Sequence, residues 1–248
     1  MFGKKVACSF IVFALVFSMT LLPVTAQQNT EKGINPLTVD SYKKWLATSE
    51  QPAIPPVVAN AMRHDIEIFA LESMTPLKLI DNAELLTSFN SLDKEHQERF
   101  ISYLNDEELM NDVFTALIKR PTKPLAGGDI TITETKTQFN TIVPGTRDIF
   151  RKTVTAQRSA YIYGMLFGQA INVIVFDHNG TTITNIVGYG AQTYVVNPNV
   201  GSISGPTYDA GLSGNKAYHI ADMIYQYGNY VTYEQWCVWG SPTSEGEW

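Results

Sequence analysis

Cysteine is scarce in this chain: 248 residues carry two, Cys8 and Cys237. Cys8 falls at the start of an N-terminal apolar run, so Cys237 stands alone in the remainder. That excludes a disulfide-stapled scaffold and leaves packing as the source of stability. Charge is sparse as well, at 17% of residues, and the balance is acidic at −6. Non-specific binding to nucleic acid or anionic lipid needs a cationic surface, so no nucleic-acid partner is expected. Beyond the first residues no run approaches the ~18 apolar residues of a transmembrane helix. There is no phosphate loop, dinucleotide glycine motif, HExxH zinc helix, EF-hand loop or nucleophile elbow. The expectation is therefore no catalytic residue, no metal and no cofactor.

What the chain does have starts at its N-terminus. Lys4 and Lys5 precede an almost unbroken apolar run from Ile11 to Leu22, and Val24-Thr25-Ala26 offers a small-residue cleavage site. This pattern is that of a secretory signal peptide, residues 1–26, with the mature chain starting at Gln27 and released outside the cell. A lipoprotein signal would place its cysteine after the apolar run, whereas Cys8 lies at its start. Without Lys4 and Lys5 the mature chain holds 16 basic against 24 acidic side chains, a net charge of −8.

Charge and aromatic content divide the mature chain. Residues 27–120 hold 15 acidic and 9 basic side chains, and 121–248 hold only 9 and 7. Ten of the twelve tyrosines lie between Tyr161 and Tyr233, where the only charged residues are Asp177, Asp209, Lys216 and Asp222. The reading is a helical domain over 27–120, a linker over 121–128 and a β-rich domain over 129–248.

Helix-start signals recur in the first part. Thr38 can cap Val39 to Leu46, with Val39, Tyr42, Trp45 and Leu46 on one face. A second helix is expected from about Val57 to Ser73. Asp81 with Glu84 and Asn105 with Glu108 have the spacing of capping boxes, and Ser91 precedes an acidic first turn. Phe100, Ile101 and Leu104, then Leu109, Val113, Phe114 and Leu117, recur at helical spacing. These predict four or five short helices in a small bundle. The stretch Lys119-Arg120-Pro121-Thr122-Lys123-Pro124 through Gly128 breaks both periods and reads as an exposed basic linker.

After Asp129 the period becomes two. Candidate strands are Ile130 to Thr135, Phe150 to Gln157, Ile171 to Phe176, Thr181 to Val187, Gln192 to Val196, Ala217 to Tyr227 and Tyr230 to Trp239. Asn179-Gly180 predicts a tight type I′ hairpin. Tyr218 to Met223 can also be read as a short helix. The fold class expected is α+β: an N-terminal helical bundle followed by an antiparallel β-sandwich or small β-barrel.

Candidate chemistry competes with plainer readings. Cys237 with His219 or His178, oriented by Asp222 or Asp177, has the residue types of a thiol nucleophile and its base. A buried thiol between Trp236 and Trp239 explains the same cysteine more simply. His64 and Glu67 share a helical face without completing a zinc site. His96 sits among charges on a solvated face. Asn179-Gly180-Thr181 matches a glycosylation acceptor, yet it already reads as a turn. The aromatics stand out most. In Tyr233 to Trp239, Tyr233, Gln235, Cys237 and Trp239 face one way, and Glu234, Trp236 and Val238 the other. If aromatics on both faces include exposed ones, Tyr225, Tyr227, Tyr233, Trp236 and Trp239 are the candidate binding residues.

The stretch Asn90 to Asp106, and Thr146-Arg147 through Asp177-His178-Asn179-Gly180-Thr181-Thr182-Ile183-Thr184, resembles small secreted proteins of Gram-positive bacteria. In these a signal peptide, and sometimes a helical acidic segment, precedes a Tyr/Trp-rich β domain, and their own function is uncharacterised. The resemblance implies export and a β domain, and carries no catalytic residue. Three functions follow. The favoured one is a secreted non-catalytic protein whose β domain binds a cell-wall, glycan or protein partner. The alternative is a toxin or bacteriocin-like precursor, cut near Lys119-Arg120, whose released β part contacts membrane. The third is a hydrolase using Cys237.

Overall fold

Four α-helices and eight β-strands follow one another in the computed structural model, which describes residues 35–49, 81–119, 124–143, 145–146, 148–200, 207–228 and 230–247. The expected signal peptide, the helix expected near Val57 to Ser73, His64 and Glu67 lie outside those residues. The α+β class holds.

The helices are α1 (Val39–Thr48), α2 (Asn82–Ser91), α3 (Lys94–Asn105) and α4 (Glu107–Ile118). Thr38 and Ser41 form the reciprocal box at the start of α1, and Asp81 accepts from the Ala83 and Glu84 amides at α2. Two expected caps are shifted. Asp93 rather than Ser91 caps α3, and Asp106 rather than Asn105 caps α4. An ionised carboxylate suits the positive end of a helix better than a hydroxyl or amide, since it meets both the free N–H groups and the dipole. Asn105 instead bonds the Leu37 backbone, accepting at 2.8 Å and donating at 3.0 Å.

The strands form two antiparallel sheets, ordered β1-β2-β3-β4 and β5-β6-β7-β8. The first comprises β1 (Ile130–Ile142), β2 (Phe150–Ile162), β3 (Met165–His178) and β4 (Ile183–Val195). The second comprises β5 (Thr207–Ser213), β6 (Lys216–Tyr227), β7 (Tyr230–Gly240) and β8 (Glu245–Glu247). The helical alternative for Tyr218 to Met223 gives way to strand, because β6 buries every second residue from Ala217 to Tyr227.

The Asn179-Gly180 hairpin is present, but its connection has four residues. Asn179 Oδ1 accepts from the Thr181 and Thr182 amides at 3.1 and 2.9 Å, so its side chain shapes the turn in place of a type I′ backbone. Among the described residues a two-residue turn with both φ values positive occurs at Tyr163-Gly164, at 50° and 78°, where no Asn-Gly or Asp-Gly advertised it.

All the described residues belong to one compact unit. Met110, Val113, Phe114, Leu117 and Ile118 of α4 bury one helical face, and Phe114 stacks on Tyr225 of β6 with ring centroids 4.7 Å apart. Arg158 of β2 donates to the Leu117 and Ile118 carbonyls at the negative end of α4, and its guanidinium lies 5.2 Å from the Trp236 ring. Between the sheets, Asn172 of β3 donates to the Trp236 carbonyl at 2.8 Å.

Candidate functional site

The pleat of β6 and β7 sorts the aromatic residues into two sets. Ala221 opposes Trp236, and His219 opposes Val238, on the face turned to the first sheet and the helices. Tyr225, Tyr227 and Trp236 are fully buried on this inner side. Tyr225 lies on Phe114, Tyr227 donates its hydroxyl to the Leu104 carbonyl at 2.7 Å, and Trp236 meets Arg158. These three of the five candidate binding residues are core side chains and present no ring to a ligand. The inward phase of β6 and β7, set by the helices, decides this.

Tyr233 and Trp239 belong to the outer face, as the alternation implied. Trp239 is half-buried, with the Lys216 ammonium 3.8 Å from its ring centroid and Gly246 of β8 against the ring. A Cβ at Gly246 would come within 2.6 Å of the indole, so glycine is what lets β8 lie there. Tyr233 is 51% exposed and donates its hydroxyl to Asp222 Oδ1, which also accepts from Gln235 Nε2 at 3.1 Å. Asp222 and Gln235 are direct cross-strand neighbours in the β6–β7 register. Further along the same face Tyr218 donates to Asp209 Oδ2 at 2.9 Å. Each phenol is held above the ordinary tyrosine range, chiefly by its hydrogen bond to the carboxylate.

Tyr208 completes the patch. It sits in the β5 bulge between Thr207 and Asp209, is 62% exposed, and lies close enough to Tyr233 to disfavour its phenolate further. The outer face of β5–β7 thus carries Tyr208, Tyr218 and Tyr233 with two carboxylates and an amide. Sequence reasoning did not place Tyr208, Tyr218, Asp209 or Asp222 among the five candidate binding residues. The period-two phase of β6 held a signal for Tyr218 and Asp222, since both alternate with the apolar residues Ala217, Ala221 and Met223. No local signal marked β5.

The thiol–histidine constellation does not assemble. Cys237 is 2% exposed, and burial pushes its thiol up to about 12. It opposes Ile220 on the outer side of the pleat, whereas His219 points inward. His219 is fully buried and burial lowers its pKa to about 4, so the ring is neutral. Its Nδ1 donates to Asn172 Oδ1 at 2.6 Å, and its Nε2 accepts from Thr207 Oγ1 at 3.1 Å. His178 is occupied on the other sheet, with Nδ1 accepting from the Gly180 amide and Nε2 facing Asn140 Oδ1. Asp177 is held by Arg151 in a two-pronged pair at 2.8 and 3.1 Å. His96 is half-exposed beside Asp93.

Among the described residues no group of three or more His, Cys, Asp or Glu side chains is placed to hold a metal ion. Among those same residues no helix is long and apolar enough to cross a membrane. Comparisons with protein-family models, curated proteins and solved structures return no match.

Proposed function

We propose that this chain is an exported, non-catalytic recognition protein that binds a hydroxyl-rich glycan of the cell envelope through the outer face of β5–β7. The observation that carries the reading is the pairing of outer-face tyrosines with fixed carboxylates, exposed Tyr233 with Asp222 and half-buried Tyr218 with Asp209, beside exposed Tyr208. A tyrosine ring offers a flat apolar surface to the C–H face of a sugar, while carboxylate and amide groups accept and donate to its hydroxyls. Each carboxylate is already oriented by its phenol, so little ordering is needed on binding. The acidic net charge favours a neutral glycan over an anionic polymer.

In this reading the two sheets form an antiparallel sandwich. The helices make a small bundle packed on the inner aromatics, and the outer face is the platform. Export rests on the leader at residues 1–26, and a Gram-positive host on the resemblance of two segments to small secreted proteins.

The test is binding of the exported protein to purified cell-wall glycan and to soluble neutral oligosaccharides, by pull-down and calorimetry. The double variant Tyr208→Ala/Tyr233→Ala and the single variant Asp222→Asn should each weaken binding about tenfold or more, about 1.4 kcal/mol, with folding unchanged by circular dichroism. Undiminished binding by the double variant would overturn the proposal.

A further inference from the structure

The chain contains one Asn-Gly step, Asn179-Gly180, at the exposed tip of the β3–β4 hairpin. An asparagine side chain loses ammonia when the next backbone nitrogen attacks its Cγ, and glycine, lacking a Cβ, leaves that nitrogen unhindered. Such attack is ordinarily slow, because an amide N–H is a very weak acid and an amide carbonyl a poor electrophile. Both obstacles are met here by groups already bonded in the turn.

His178 supplies a base. The Gly180 N–H donates to His178 Nδ1 at 3.0 Å. That bond fixes the tautomer, with the ring proton on Nε2, which lies 3.1 Å from Asn140 Oδ1 on β1. The ring is buried and stacked on Phe150 with centroids 5.6 Å apart, so Nδ1 stays aimed at the Gly180 nitrogen. Burial and then the Lys152 ammonium lower its pKa from 6.5, with the Asp177 carboxylate opposing them. The imidazole is therefore neutral at about pH 7 and able to take a proton.

The carbonyl is served as well. Asn179 Oδ1 accepts from the Thr181 amide at 3.1 Å, the Thr182 amide at 2.9 Å and the Thr181 hydroxyl at 3.1 Å. These donors face the oxygen on which negative charge develops as nitrogen adds to Cγ, which is the arrangement of an oxyanion hole. Gly180 has a φ of 95°, with no atom within 4 Å of where a Cβ would stand. Asn179 and Gly180 are both exposed, so water reaches the site and ammonia leaves it.

We propose that Asn179-Gly180 is a self-modification site, at which His178 and the Thr181 and Thr182 donors promote intramolecular loss of ammonia from Asn179. The Gly180 nitrogen gives its proton to His178 Nδ1 and forms a bond to Asn179 Cγ. The proton passes on to Asn179 Nδ2, the Cγ–Nδ2 bond breaks, and ammonia departs from a cyclic imide. Water then opens the imide at one carbonyl or the other, leaving aspartate or isoaspartate, with nothing oxidised or reduced. The isoaspartate product lengthens the main chain by one carbon at the turn. It gives up the side-chain bonds that now shape the β3–β4 connection.

The test follows position 179 in the full-length exported protein at neutral pH, folded and unfolded in urea. Peptide mapping that separates asparagine, aspartate and isoaspartate gives the rate, and released ammonia is measured alongside. The folded chain should convert faster than the unfolded one, since only folding aligns base and donors. His178→Gln keeps an acceptor for the Gly180 N–H but removes the base. It should slow the folded protein about a hundredfold, the lower end of what a positioned base contributes, and leave the unfolded rate unchanged. Circular dichroism checks the fold of that variant, and the comparison of folded with unfolded wild type does not depend on it. Slower conversion in the folded chain than in the unfolded one would sink the proposal, as would a folded His178→Gln protein converting at the wild-type rate.

Discussion

His219 shows what burial does to a single side chain here. Its ring lies between the sheets, stacked on Tyr189 at 5.0 Å and bonded at both nitrogens. Both bonds suit the neutral form, and burial lowers its pKa to about 4 from the ordinary 6.5. Above pH 6.5 folded and unfolded chains alike hold it neutral, so no stability depends on it. As pH falls below 6.5 the unfolded chain takes up a proton that the folded chain refuses, and stability is lost until about pH 4. Urea unfolding at pH 7 and pH 5 should therefore differ by about 2 kcal/mol from this group. His178, also lowered by burial, adds loss in the same direction. The variant His219→Gln should flatten the profile, and an unchanged slope would refute neutral burial. Buried Lys152 reflects the same physics with the opposite outcome. Its ammonium keeps partners, donating to the Ser241 carbonyl at 3.0 Å and lying 3.5 Å from Glu245, although burial lowers its pKa.

At the level of elements, helix ends and turns divide according to how many interactions compete for each residue. Thr38 and Asp81 cap where the local pattern placed them, since nothing else claims their side chains. Ahead of α3 two polar residues compete, Ser91 and Asp93, and local spacing does not rank them. Asp93 wins the N-terminus because its carboxylate accepts the His96 amide at 2.9 Å. Ser91 is spent on the Ser88 carbonyl. Asp93→Ala should cost about 1 kcal/mol, whereas Ser91→Ala should stay within about 0.5 kcal/mol, both measured as shifts in the urea midpoint. Equal costs would return the cap to Ser91. The strands were legible through their period, and their extents were less so. β2 runs to Ile162, well past Gln157, because its neighbours β1 and β3 supply pairs along the whole length. β5 and β8 escaped notice. Each is short, and each exists because a longer strand beside it offers a ladder.

For the whole molecule, the change from helices to strands does not divide the core. Tyr42 of α1 donates to the Val196 carbonyl at 3.1 Å, Asn197 to the Leu104 carbonyl at 2.8 Å, and Phe100 meets Phe167 with centroids 6.4 Å apart. Helical residues and both sheets contribute to one cluster of buried side chains. One cooperative transition is therefore expected in denaturant, with far-ultraviolet circular dichroism and tryptophan fluorescence coinciding. Trp45 reports from α1 and Trp236 from β7. Two separated transitions would show that helices and strands fold apart. The shared core also bears on a β part released by cleavage, because losing the helices would strip the cover from Tyr225 and Tyr227.

The sequence by itself determined the order of helices before strands, the absence of any intramolecular disulfide after residue 26, and the alternation that put Tyr233 and Trp239 on one face. Those properties follow from periodicity, composition and spacing, which act over a few residues. Only tertiary structure decided which face of β6 and β7 turned inward. The alternation Tyr225, Tyr227 and Trp236 against Tyr218, Tyr233 and Trp239 offers large aromatics on both sides, so pattern alone leaves the choice open. Phe114 and Leu104 of the helices, with Arg158 and Asn172 of the first sheet, settle it by meeting one set in the core. The other set is left outside with Asp209 and Asp222, residues distant in sequence from one another, which only the strand register brings to a common face.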